Sequence, residues 1–354
     1  MSEERDTTPA VGSPASPDFG SKTGEKVALH VGEFRDGRWS YLYGEDTEYA
    51  GGERAQGEIP PLDGVGPGMM KPPVWTWEVP LYFWTGGIAS GSAFVALACD
   101  LAGDHRAAAL SRKVALAALV PSPPLLVLDL GRPERFLNML RIFKTRSPMS
   151  MGAWCLLAFS NTGAAAVAFD LLGRRRAARA MTVATAGLGT YLGSYTGVLL
   201  ASTAVPAWHR SRRLLPPIFI CTASASGAAV TRLGLTAAGA PPGDPSRAGL
   251  AALEAVAMSA ELGLSALNER RLGIAGRALE AGRPGRLLKG ARALTATGLA
   301  LRAVGRRGGP VTDHLPSVLF LLAALAYRFG WVAAGRTSAL DHEAVAALAR
   351  SPQR

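Results

Sequence analysis

The chain is poor in the residues that hold metals. Its 354 residues include three cysteines, Cys99, Cys155 and Cys221, each inside an apolar run and none in a Cys-x-x-Cys pair. That excludes a disulfide framework and gives no basis for a protein-bound Fe–S cluster. Five histidines are present, His30, His105, His209, His314 and His342. None lies at the middle of an apolar run, so no axial pair for an intramembrane haem is expected, and no metal site. The first 30 residues hold no apolar core segment, so no cleavable signal peptide is expected. Charge is also scarce, at 18% of residues, below the roughly 25% usual for soluble domains.

What charge there is divides unevenly. Residues 1–78 carry 7 basic and 14 acidic side chains, whereas residues 79–354 carry 31 basic and 13 acidic. The formal charge of +11 therefore does not mark a nucleic-acid binder. It is the sum of an acidic tail and a basic, apolar body. In that body the apolar residues fall in runs of about 20, the length that crosses a bilayer, with cations clustered between them. The mean hydropathy of +0.16 is low for such a chain because the polar tail dilutes it.

The tail, residues 1–72, is rich in Gly, Pro, Ser, Asp and Glu and is expected to be largely disordered. Its aromatic patch, Trp39, Tyr41, Tyr43 and Tyr49, is either a docking element or incidental. Eight apolar spans follow, near residues 80–102, 112–131, 150–172, 181–205, 214–236, 249–268, 287–305 and 315–334. The expected fold is an all-α membrane protein with eight transmembrane helices in two four-helix bundles, over 73–208 and 209–336, then a tail over 337–354. Pro121, Pro123 and Pro124 predict a kink or break in the second span. Arg292 and Arg302 make the seventh the least apolar. Loops on the side of the termini carry 14 Lys and Arg against 10 on the other side, which favours cytoplasmic termini.

Several residues point to chemistry. Gly87 and Gly91 in the first span, and Gly189, Gly193 and Gly197 in the fourth, let helix backbones approach closely. They serve tight packing or shape a pocket for a flat ligand. Asp129 lies at the membrane boundary, where a carboxylate needs a partner such as Arg132 or Arg135. It is either a salt bridge pinning the loop or a proton-exchanging group. Glu254 and Glu261 share a face of the sixth span, and Arg232 and Arg328 lie within the fifth and eighth. These are either a proton path, through Glu254, Glu261 and Arg232, or ion pairs that hold the second bundle together.

Pro73-Val74-Trp75-Thr76-Trp77-Glu78-Val79-Pro80-Leu81-Tyr82-Phe83-Trp84 and the Gly/Ser run after it, Asp129-Leu130-Gly131-Arg132-Pro133, Phe136-Leu137-Asn138-Met139-Leu140-Arg141, Ser147-Pro148-Met149-Ser150 and Ser194-Tyr195-Thr196-Gly197 together resemble the NrfD/PsrC family over roughly residues 73–220. The resemblance implies a membrane anchor subunit of a multi-subunit oxidoreductase. It implies a quinone, menaquinone or ubiquinone, bound in the first bundle, and a ferredoxin-like Fe–S partner that serves a molybdopterin-type catalytic subunit. Tyr195 matches the position of the family's quinone-contacting tyrosine. Quinone chemistry needs hydrogen-bond donors and a titratable group at the carbonyl oxygens. Glu78 and Tyr82, four apart, share a helix face and, with Asp129 and Tyr195, are placed by the span order toward one end. Arg132, Arg135, Arg141 and Lys144 lie on the same side, either as a docking surface for the partner or as ordinary positive-inside charge. The competing reading is a multi-span transporter or channel without a redox partner. It accounts for the spans but not for the Asp-Leu-Gly-Arg-Pro and Ser-Pro-Met-Ser segments.

Overall fold

A computed structural model describes residues 70–130, 140–141, 143–305 and 309–349. They are nearly all helical, and no strand occurs among them. The expected tail lies, up to residue 69, outside the described residues.

The helices are α1 (Glu78–Leu101), α2 (His105–Leu119), α3 (Ser122–Leu130), α4 (Pro148–Leu171), α5 (Arg175–Ala201), α6 (Pro206–Arg210), α7 (Leu215–Ala237), α8 (Pro245–Leu272), α9 (Arg277–Glu280), α10 (Gly282–Val304), α11 (Gly309–Leu340) and α12 (His342–Ala349). Each apolar run of the sequence is thus helical. By length and composition, six segments suit a membrane crossing: α1, α2 with α3, α4, α7, α8 and α11. The other two long helices, α5 and α10, are not among the six. Their sequences give the reason. In α5, residues 180–201 carry no charge but are diluted by Gly, Ser, Thr and Tyr, whereas α10 carries Arg283, Arg286, Lys289, Arg292 and Arg302. Residues 337–349, expected as tail, continue α11 and form α12.

Local chemistry sets the ends. Asp104 caps α2 by accepting from the Ala107 N–H at 2.9 Å. Ser147 caps α4, with Pro148 at its first position, and Asp244 caps α8, accepting from the Ser246 N–H at 2.8 Å. The second apolar run breaks where its prolines fall, α2 ending at Leu119 and α3 resuming at Ser122.

The two expected halves are closely joined. α1 packs on α2, α5, α7 and α11, so a helix of the first half is held by two of the second. At the α1–α7 crossing, a Cβ on Gly91 would strike the Ala223 carbonyl, and one on Gly227 would strike the Gly91–Ser92 backbone. The glycines therefore serve backbone contact. Beside this seam lies a core of Leu200, Trp208, Leu215, Ile218, Phe219, Tyr327 and Trp331. Trp208 is fully buried, and its indole N–H donates to the Trp331 carbonyl at 2.8 Å.

Candidate functional site

The motif-bearing segments meet at the end of the helix array where α1 and α4 begin and α3 and α5 finish. There a cleft of about 620 Å³, partly open to the surroundings, is lined by residues of all four. Its walls include Val79, Phe83, Leu125, Leu126 and Leu199, and Met149 and Ala153 enter from α4. Trp75 closes one side and stacks on Trp208 with ring centroids 5.0 Å apart. All four residues expected at a ligand, Glu78, Tyr82, Asp129 and Tyr195, line this one cleft.

Each is held in a different way. Glu78, in the first turn of α1, is buried and accepts from the Thr76 hydroxyl. Tyr82 lies one turn further along the same face and is also buried. Tyr195 of α5 is 5% exposed, between the edge of Phe83, 6.4 Å away, and Tyr191, 5.9 Å away. Its phenol needs the absence of a side chain at position 152, because a Cβ on Gly152 would overlap the ring and hydroxyl. Tyr82 and Tyr195 both line the cleft, so their phenols can donate to a bound molecule. Asp129 is half-buried at the end of α3. Arg132 and Arg135, the partners expected for it, lie outside the described residues, whereas Arg141 and Lys144 are described and exposed.

The cleft is mostly apolar, with polar groups at its edge. Apolar side chains form most of its wall, and two donors with two carboxylates converge within it. Among the described residues no group of three or more His, Cys, Asp or Glu is arranged to hold a metal ion. Behind the wall, Arg328 is fully buried. It donates from Nε to the Phe83 carbonyl at 3.0 Å and lies over the Phe219 ring, 5.4 Å from its centroid. A Cβ on Gly87 would meet this guanidinium, so Gly87 makes room for it.

The second half holds the other expected ionisable residues, some in ion pairs and some in hydrogen bonds to neutral groups. Glu254 is buried against Arg302 and accepts from the Ser317 hydroxyl at 2.9 Å. Arg232 is paired with Asp313. Glu261 accepts from Ser265 at 2.8 Å, and Ser265 is also 2.8 Å from the Tyr327 hydroxyl. Further along the same helix, Asn268 donates to Ser211 at 2.9 Å. Arg247, Glu254, Glu261, Ser265 and Asn268 thus form one buried polar line along α8. No hydrogen bond among the described residues joins Glu254 to Glu261.

Sequence reasoning missed the apolar wall of the cleft and a buried cluster at the opposite end of the first half. There Arg112 is held between Asp100 and Asp170, 3.2 Å from the latter, and its Nε donates to Thr182 at 2.8 Å. A signal was present: Asp-Leu-Ala-Gly at 100–103 and Asp-Leu-Leu-Gly at 170–173 repeat at the ends of two apolar runs.

A comparison with family profiles matches the family described as polysulphide reductase, NrfD, over residues 65–283. No curated protein and no solved structure matches the chain.

Proposed function

We propose that this chain, which belongs to the polysulphide reductase NrfD family, is the quinone-binding membrane subunit of an oxidoreductase complex. The observation that carries the reading is the convergence of Glu78, Tyr82, Asp129 and Tyr195 on one apolar cleft. When bound, the quinone supplies the couple that takes up or releases two electrons and two protons. The chain's own residues bind and orient it. Trp75, Leu125 and Met149 take the ring, the Tyr82 and Tyr195 hydroxyls donate to its carbonyl oxygens, and Glu78 and Asp129 exchange protons at that end. Burial of Glu78 keeps bulk water from that proton.

In the same reading all eight long helices cross the membrane, α5 and α10 included. They form a quinone-binding half over 73–208 and a second half over 209–336. A ferredoxin-like Fe–S subunit docks on Arg132, Arg135, Arg141 and Lys144 and relays electrons between the quinone and a molybdopterin-type catalytic subunit. The quinone is menaquinone or ubiquinone, the membrane is the inner, plasma membrane, and both termini face the cytoplasm. Protons cross the second half along Glu254 and Glu261, with Arg232 holding the far end; the gap between the carboxylates needs a bridging water.

The test is Tyr195→Phe in the purified complex. Quinone-linked turnover is expected to fall at least tenfold while subunit composition is unchanged; wild-type quinone kinetics would contradict the assignment. A reporter fused after Arg354 tests the orientation, and activity only outside the cytoplasm would overturn it.

A further inference from the structure

A second cavity lies at the opposite end of the array from the cleft. It spans about 550 Å³, counting space open to the surroundings, and is lined by Arg232, Arg247, Arg302 and Asp313, with Pro242, Ala248 and Ala251 among its other walls. The three guanidiniums come from α7, α8 and α10, and Asp313 from the first turns of α11. This site is separate from the quinone cleft and does not rest on that reading.

Two observations point to a ligand. The first is charge. Three arginines face two carboxylates, since Asp313 is shared by Arg232 and Arg247 while Glu254 takes Arg302. Asp244 nearby caps α8 by accepting from the backbone N–H groups of Ser246 and Arg247. Arg232 and Arg247 are 2% and 3% exposed, so water screens the remaining positive charge poorly. The second is donor satisfaction. Arg232 uses every guanidinium nitrogen: Nε on the Arg247 carbonyl at 3.2 Å, Nη1 on the Asp313 carbonyl at 2.7 Å, and Nη2 on the Asp313 carboxylate. Arg247 and Arg302 each keep a buried Nε–H with no acceptor among the described residues. A buried charged donor without an acceptor is costly, and an oxyanion removes both the charge excess and the missing acceptors.

We propose that this cavity binds a phosphate-type oxyanion, seated among the guanidiniums of Arg232, Arg247 and Arg302. Phosphate of a lipid headgroup and free phosphate share that chemistry. The mouth lies beside an apolar face of α8 on which Ala248, Ala252 and Val256 are exposed, so a headgroup could enter with its chains along the helix.

The experiment uses the full chain purified in a non-ionic detergent. One arm follows thermal melting during titration with inorganic phosphate. The other counts phosphatidylglycerol retained from mixed micelles by native mass spectrometry. Wild type is expected to be stabilised by phosphate, to retain one lipid molecule, or both; lipid alone assigns the headgroup, and phosphate alone assigns the free ion. Arg247→Gln is expected to weaken whichever binding is seen at least tenfold. Should that variant fail to fold, Ala251→Leu fills the cavity without removing a guanidinium, and the same loss is expected. Absence of both ligands from wild type, or equal binding in the folded variants, overturns the proposal.

Discussion

The two cavities, at opposite ends of one helix array, treat buried polar groups in contrary ways. The cleft at the start of α1 sets two tyrosines and two carboxylates in a mostly apolar wall. The cavity at the far end of α7, α8 and α10 joins arginines to carboxylates until two N–H groups remain. Neutral donors around an open apolar space suit a ligand that arrives and leaves. A nearly closed ion network suits structure, since removing one member of a buried pair strands its partner. One half thus presents an apolar exchange site and the other an ion-paired clasp around a charged cavity.

The largest effect on this comparison comes from removing what the two ends share. Gly91→Leu places a side chain where the Ala223 carbonyl sits, and neither backbone can yield. No monodisperse chain is expected on size-exclusion chromatography in detergent. A folded Gly91→Leu protein would show that the halves do not need the α1–α7 contact. Next, Glu254→Gln leaves Arg302 without its carboxylate, and breaking such a buried pair is expected to remove roughly 3–5 kcal/mol. The melting midpoint in detergent should drop, and adding Arg302→Met should recover much of it. If the single variant melts like wild type, the clasp is not structural.

The cleft is predicted to behave differently. Gly152→Ala crowds the Tyr195 phenol, so quinone KM should rise severalfold while the melting midpoint stays within a few degrees. A large loss of stability would place Tyr195 in the clasp category instead. The smallest effect concerns Asp104, between α1 and α2. Burial pushes its carboxyl up, but hydrogen bonds from the Ala107 and Arg106 N–H groups and from Ser246, with the Arg106 charge, outweigh that and hold it below the ordinary value. Its contribution is therefore present above the unfolded pKa and is lost as pH falls through the lower folded one. Asp104→Ala is expected to lower stability by about 1 kcal/mol at neutral pH. The difference from wild type should shrink below about pH 4; a difference independent of pH would contradict this.

The sequence made the helices and one end of the site legible for physical reasons. Apolar runs of membrane length, punctuated by Pro121 to Pro124 and by capping Ser147, mark where helices start and stop. Glu78 and Tyr82 share a face by spacing alone, and the span order brings Asp129 and Tyr195 to the same end. What was not legible depends on contacts between distant segments. Gly87 and Gly91 suggested a close approach but not its partner, which proved to be Arg328 for one and α7 for the other. Arg302 looked like an interruption of an apolar run, whereas it is the counter-ion of Glu254, 48 residues earlier. The apolar wall of the cleft, Leu125, Leu126 and Leu199, carries no pattern that separates it from ordinary core.

The most direct test of the account is to label the purified complex with a photoreactive quinone analogue and map the modified peptides. The account predicts labels within residues 75–83, 125–129, 149–153 and 195–199, reduced by Tyr195→Phe and displaced by excess unlabelled quinone. Displaceable labelling confined to α8, α10 and α11, with those segments untouched, would contradict it.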